Sequence, residues 1–133
     1  RPMLDGQRGV EFVGEIGEAA KAEFLGGAAA LLFPIRWPEP FGLVMVEAMA
    51  CGTPVVAFNR GSVPEVLEEG ASGFVVEDEA GALAALRRIG ELDRAAVRRA
   101  FGARFTAGRM ARDYLAIYRR LAVAKGHPLL RLA

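Results

Sequence analysis

From Ala29 to Phe58 the chain reads Ala29-Ala-Leu-Leu-Phe33, Pro34-Ile-Arg-Trp-Pro-Glu-Pro-Phe41, Gly42-Leu-Val-Met-Val-Glu-Ala-Met-Ala-Cys51, Gly52-Thr-Pro54 and Val55-Val-Ala-Phe58. The first block is an unbroken apolar run of strand length closed by a proline, which fits a strand covered on both faces. The second block carries Pro34, Pro38 and Pro40 and is an irregular loop. The third consists of helix formers with one charge among them, and Gly52 sits where a left-handed cap ends a helix. The last block is β-branched and apolar again. Strand, loop, helix, strand is a βαβ unit, and such units build a parallel sheet.

The flanks continue the pattern. Val10-Glu-Phe-Val-Gly14 alternates apolar with polar and predicts a short strand. A helix follows over residues 15–25, with Ala19, Ala20, Phe24 and Ile16 on its inner side. Residues 59–62 turn, and Pro64 opens a short helix. Gly73 to Val76 reads as a strand and residues 80–89 as a helix. Asp93 and Thr106 are N-caps for helices over 94–104 and 107–125. The last helix is amphipathic, with Met110, Tyr114, Ile117, Tyr118 and Leu121 at helical spacing. The fold class expected is α/β, a Rossmann-like parallel sheet flanked by helices. Four short strands are few for a self-contained doubly wound sheet, so a partial domain is expected over residues 1–126, with a tail at 127–133.

With 133 residues, 53% apolar and 25% charged, the composition is that of one globular domain and excludes disorder. No stretch approaches the roughly 18 apolar residues of a membrane span. The lone Cys51 excludes an intrachain disulfide framework and leaves too few thiols for a zinc cluster. It leans towards a reducing compartment, and the cytoplasm is the setting expected. Residues 1–86 hold 5 basic and 13 acidic side chains, whereas residues 87–133 hold 12 basic and 3 acidic. A basic section of this kind suits an anionic membrane surface, nucleic acid, or an acidic face of the same protein. Few aromatics interleave the arginines, so no nucleic-acid partner is expected, whereas peripheral contact with an anionic membrane stays open.

Ligands of open parallel sheets lie beyond the carboxyl ends of the strands, so chemistry should gather in the loop from Ile35 to Phe41. Gly42 lets a ligand approach the backbone, and the amides of Gly42, Leu43 and Val44, with the helix dipole behind them, suit phosphate or sugar oxygens. Tight packing alone explains the same glycine equally well. Glu47 is surrounded by apolar neighbours, which predicts a buried helix and a carboxylate that costs several kcal/mol unless compensated. Its compensation is either Arg36 or Arg60, or hydroxyl protons of a ligand. Gly42 and Glu47 are about 7.5 Å apart along a helix, roughly the separation of a diphosphate from the ribose hydroxyls of one nucleotide. Glu39 would then face the group beyond the phosphates.

Glu39-Pro-Phe-Gly-Leu-Val-Met-Val-Glu47 is an E-x7-E signature. Together with residues 48–57, Arg60-Gly-Ser-Val-Pro-Glu-Val66, Gly73-Phe-Val-Val76 and Val10-Glu-Phe-Val-Gly-Glu-Ile16, it closely resembles retaining glycosyltransferases of family 4 with the GT-B fold. The resemblance covers roughly residues 10–120. It implies transfer of a sugar from a nucleotide diphosphate donor to an acceptor, with retention and with no metal or other cofactor. It implies that Glu39 contacts the donor hexose near the reacting centre and Glu47 holds the ribose hydroxyls. Backbone at Phe41, Gly42, Leu43 and Val44 then meets the sugar and diphosphate, and Gly14 to Ile16 lies near the base. It further implies an N-terminal acceptor domain, and a first strand and helix of the donor domain, neither of which this sequence contains. His127, in the tail, does not match the active-site histidine of that other half, so the chain by itself is expected to be inactive. The alternative is a non-catalytic nucleotide-sugar-binding or assembly module.

Glu77-Asp78-Glu79 reads as a solvated turn rather than a metal site. Cys51 reads as core filler and the two tyrosines as packing residues. Trp37 either contacts an acceptor or anchors its loop.

Overall fold

The structure, a computed structural model, describes residues 9–124; the tail at 127–133 with His127, and Lys125, lie outside them. Three strands form one parallel sheet in the order β1 (Leu31–Phe33), β2 (Val55–Phe58), β3 (Gly73–Val76). Leu31 pairs with Val55, and Val55 in turn with Gly73. The crossovers between them carry α2 (Leu43–Ala50) and α3 (Val63–Val66), and α1 (Glu18–Gly27) precedes the sheet. After β3 come α4 (Glu79–Arg87), a short 3-10 turn at Ile89–Glu91, α5 (Arg94–Arg104) and α6 (Ala107–Ala124).

Strand β2 is central, and all four of its residues are buried, as a parallel strand covered on both faces requires. Val55 and Ala57 point into a core with Met45, Met49, Val63 and Val97. Val56 and Phe58 point to the other face and pack with Phe74, Ala82 and Ala85 under α4. The edge strand β1 departs from the expectation. It is two residues shorter than the apolar run, and Leu32 on its α4-side face is 46% exposed, because α4 lies over β2 and β3.

The expected strand at residues 10–14 does not form. Those residues are irregular, Val10, Phe12 and Val13 are substantially exposed, and Gly14 adopts a left-handed φ of 71°. A strand so short is held by its neighbours rather than by its own propensity, and among the described residues the sheet ends at β1. Helix α1 also differs. It begins at Glu18, its buried residue is Leu25, and Ala19, Ala20 and Phe24 face outward. Three alanines and two glycines on a ten-residue helix leave the inner face ambiguous from spacing alone.

Polar contacts fix the helices relative to the sheet. The Thr53 hydroxyl donates to the Leu25 carbonyl at 2.7 Å. Arg94 donates to the carbonyls of Ala28 at 2.6 Å and Gly26 at 2.7 Å and to Thr53 Oγ1 at 2.9 Å. These carbonyls belong to the end of α1, where intrahelical donors run out. Arg94→Ala leaves them without that donor and should lower unfolding stability by about 2 kcal/mol. A urea titration of the chain would measure it, and a midpoint shift near zero would show that water replaces the guanidinium. Asp93 caps α5 by accepting the Ala95 amide at 2.9 Å. That amide, and after it Arg99, holds the carboxyl below its usual value, so the cap supports the fold at neutral pH and weakens as acid protonates it. Thr106 caps α6 through the Arg109 amide at 3.2 Å. The apolar stripe of α6, Met110, Tyr114, Ile117, Tyr118 and Leu121, is exposed along its length.

Candidate functional site

Glu39 stands between two prolines in the β1–α2 loop, and both of its carboxylate oxygens are occupied. Oε1 accepts the Gly42 amide at 2.9 Å, and Oε2 accepts the indole Nε1–H of Trp37 at 3.1 Å. Gly42 is the N-cap of α2 at φ 74°, a left-handed backbone that favours glycine, and a Cβ there would have to displace the flexible end of the Met45 side chain. The expectation that Gly42 offers a free amide is thereby corrected: a carboxylate three residues earlier caps it. The first-turn amides left without an intrahelical acceptor are those of Leu43 and Val44. Leu43 is exposed, Val44 is half-buried, and Phe41 sets its half-exposed ring edge-on to Phe105 at 6.3 Å.

Glu47 is not shielded by apolar neighbours. Its side chain is 38% exposed and accepts the Lys21 ammonium at 3.0 Å. The reason is the geometry of α2. Met45, Val46, Ala48 and Met49 form its buried side, whereas Leu43, Glu47 and Ala50, at i, i+4 and i+7, form an outer stripe. Neither Arg36 nor Arg60 is the partner. Arg36 pairs with Glu79 at 2.9 Å and Arg60 with Glu77 at 3.4 Å. Lys21 also binds Glu18 at 2.6 Å. Its hydrogen bonds to Glu18 and then Glu47 raise the ammonium above its ordinary value, so the charge opposite Glu47 persists through the physiological range.

Two hollows flank α2. One, of about 490 Å³, lies against Glu39, Phe41, Ser62, Arg104 and Phe105. The other, of about 200 Å³, lies against Lys21, Leu25, Glu47 and Cys51. The two glutamates of the motif therefore line separate concavities rather than one. In the wall of the first, the Ser62 Oγ is buried and has no hydrogen-bond partner among the described residues. Gly14 and Ile16 lie on the irregular segment leading into α1, the helix that carries Lys21. A third hollow of about 450 Å³ opens at the strand ends between Arg36, Arg60, Glu77 and Glu79. The acidic run there is more than a solvated turn. Glu77 accepts from Asn59 at 2.8 Å and pairs with Arg60, Asp78 caps α4 through the Gly81 amide at 2.8 Å, and Glu79 pairs with Arg36.

Lys21 escaped the sequence reading, although it is the only cation between residues 9 and 35. Its contact with Glu47 spans 26 residues and two helices, and no local spacing encodes it. Arg104 was missed for the same reason. It donates to the carbonyls of Val66 and Glu65 at the end of α3 and lies over the Phe105 ring at 4.7 Å, closing the wall of the Glu39 hollow.

Residues 4–102 match the family described as glycosyl transferases group 1. Glycogen synthase from Mycobacterium tuberculosis (strain H37Rv) is 39% identical over 99 residues, which cover 73% of this chain and 24% of that protein. D-inositol 3-phosphate glycosyltransferase from Nocardioides sp. is 38% identical over 128 residues, 88% of this chain and 28% of its own length. Among solved structures, sucrose-phosphate synthase from Thermosynechococcus elongatus superposes with a TM-score of 0.72 at 33% identity, over 86% of this chain and 31% of that one. The chain thus spans less than a third of each of these relatives. The parallel sheet with helices on both faces is part of a GT-B architecture, and the chain belongs to the glycosyl transferases group 1 family.

Proposed function

We propose that this chain is the donor-binding part of a glycosyltransferase, moving a sugar from a nucleotide diphosphate donor to an acceptor with retention at the anomeric carbon and without a metal ion. Helix α2 carries the reading. Glu39 caps its start, Glu47 stands on its outer stripe about 7.5 Å further along the axis, and the amides of Leu43 and Val44 lie between them. A diphosphate at this N-terminus completes those amides and meets the positive end of the dipole. Backbone at Phe41 and Gly42 meets the sugar. Glu47, paired with Lys21, accepts hydrogen bonds from the pentose hydroxyls, and Glu39 reaches the hexose. Gly14 and Ile16, just ahead of α1, approach the base. Relatives named as a glycogen synthase and an inositol phosphate glycosyltransferase support glycosyl transfer in general.

The acceptor site belongs to the remainder of a longer protein in this reading, and the 133-residue chain alone should not turn over. The exposed apolar stripe of α6 is the contact for that remainder in a cytoplasmic enzyme. An anionic membrane is the rival occupant, since Arg109, Arg112, Arg119 and Arg120 flank the stripe. Flotation with anionic vesicles separates the two: salt-sensitive binding of the full-length protein would transfer α6 to the membrane.

Glu47→Ala should weaken nucleoside diphosphate binding about tenfold, equivalent to one lost hydrogen-bonding carboxylate. Because the Lys21 pair is partly exposed, the same change should move stability by less than about 1 kcal/mol, rather than relieve a buried charge. Calorimetry with UDP, GDP and ADP, paired with a thermal melt, reads both. Unchanged affinity for all three would remove Glu47 from the donor site. A full-length protein that neither transfers nor hydrolyses UDP-, GDP- or ADP-sugars would instead favour the non-catalytic module.

A further inference from the structure

Trp37 is the only tryptophan of the chain, and burial does not account for it, because 59% of it is exposed. An indole that gains little from burial contributes chiefly through the polar contact it makes. That contact is the Nε1–H donated to Glu39 Oε2 at 3.1 Å. The sequence builds it locally. Trp37 and Glu39 each precede a proline, which disfavours the helical region for both and pushes them towards extended backbone. In extended backbone, residues i and i+2 present their side chains on the same side. The Glu39 backbone is held as well, since its carbonyl accepts the Ser62 amide at 2.9 Å. With the Gly42 amide on Oε1, the carboxylate is fixed at both oxygens while each keeps a lone pair for a further donor.

We propose that Trp37 is a positioning residue for Glu39: its indole N–H, acting with the Gly42 amide, holds the carboxylate in one rotamer before the sugar arrives. The role rests on the donor-binding reading above. A free glutamate side chain pays rotamer entropy whenever it is ordered, and a group fixed beforehand avoids that cost at the moment of reaction. Losing the indole donor should therefore lower kcat and leave the donor KM nearly unchanged.

The experiment has two arms. In the chain itself, the single indole N–H gives one resonance in a nitrogen–proton correlation spectrum. Glu39→Ala should move that resonance upfield and speed its exchange with water, and an unmoved resonance overturns the contact. In the full-length protein, benzothienylalanine at position 37 keeps the ring and removes only the N–H. It should lower kcat about tenfold with KM within about twofold, the size expected for one hydrogen bond to a charged group. If the unsubstituted protein transfers sugar and this variant matches it, the role of Trp37 falls and the donor-site reading stands. If the unsubstituted protein shows no transfer, the reading falls and the role falls with it.

Discussion

Glu39→Gln should lower turnover of the full-length protein about a hundredfold or more, the size seen when one group stabilising charge at a reacting centre is removed. The substitution is chosen for what it preserves. A glutamine Oε1 can still accept the Gly42 amide, so the cap at the start of α2 survives, while the negative charge and the acceptor for the Trp37 indole are lost. Glu39→Ala removes charge and cap together and should cost about 1 kcal/mol of stability in addition, the usual worth of an N-terminal cap. Steady-state kinetics and denaturant melts on the two variants separate the contributions. The donor KM should change little in either, because Glu47 and the amides of Leu43 and Val44 carry nucleotide binding in this reading. Wild-type turnover in Glu39→Gln would mean that the carboxylate serves the fold alone, as a helix cap, and would remove it from the reaction.

How much of this was legible beforehand depends on the range over which each contact acts. Helix α5 falls on the residues expected for it, and β2, β3 and the caps at Asp93 and Thr106 appear where local signals put them. Those signals act within a few residues: a β-branched run, a capping side chain, a proline at a first turn. The segment at residues 10–14 carried an equally good local signal and formed no strand, because pairing depends on a neighbour that spacing cannot supply. The site divides in the same way. The motif singled out Glu39, Gly42 and Glu47 as candidates, and the Glu39–Gly42 contact is local enough to have been inferred. Glu47 was misjudged because counting apolar neighbours along a helix ignores which stripe faces outward. Leu43 is largely exposed, so its greasiness says nothing about shielding of the carboxylate four residues later. Lys21 and Arg104 reach the site from α1 and α5, and only the packing of those helices brings them there.

Gly61→Ala should be the most damaging single methyl that can be added near the site. Gly61 sits at φ 54°, and a Cβ built there runs into the backbone of Glu39 and Pro38. The left-handed backbone costs an L-residue roughly 1–2 kcal/mol. Overlap with main chain cannot be relieved by a rotamer change, and forced overpacking adds about 1–3 kcal/mol. The loop must retreat, and with it go the Ser62 to Glu39 hydrogen bond and the placement of the Glu39 carboxylate. A stability loss of about 2–5 kcal/mol should therefore accompany a collapse of turnover. Gly70 provides the matched control. Its φ of 72° imposes the same backbone penalty, but a Cβ there meets nothing within 4 Å. Gly70→Ala should cost only the left-handed term and leave turnover intact. Denaturant melts and kinetics on the pair isolate the close approach from the conformational strain. Equal losses in the two variants would show that the loop yields freely, and that Glu39 is not held in place from the α3 side.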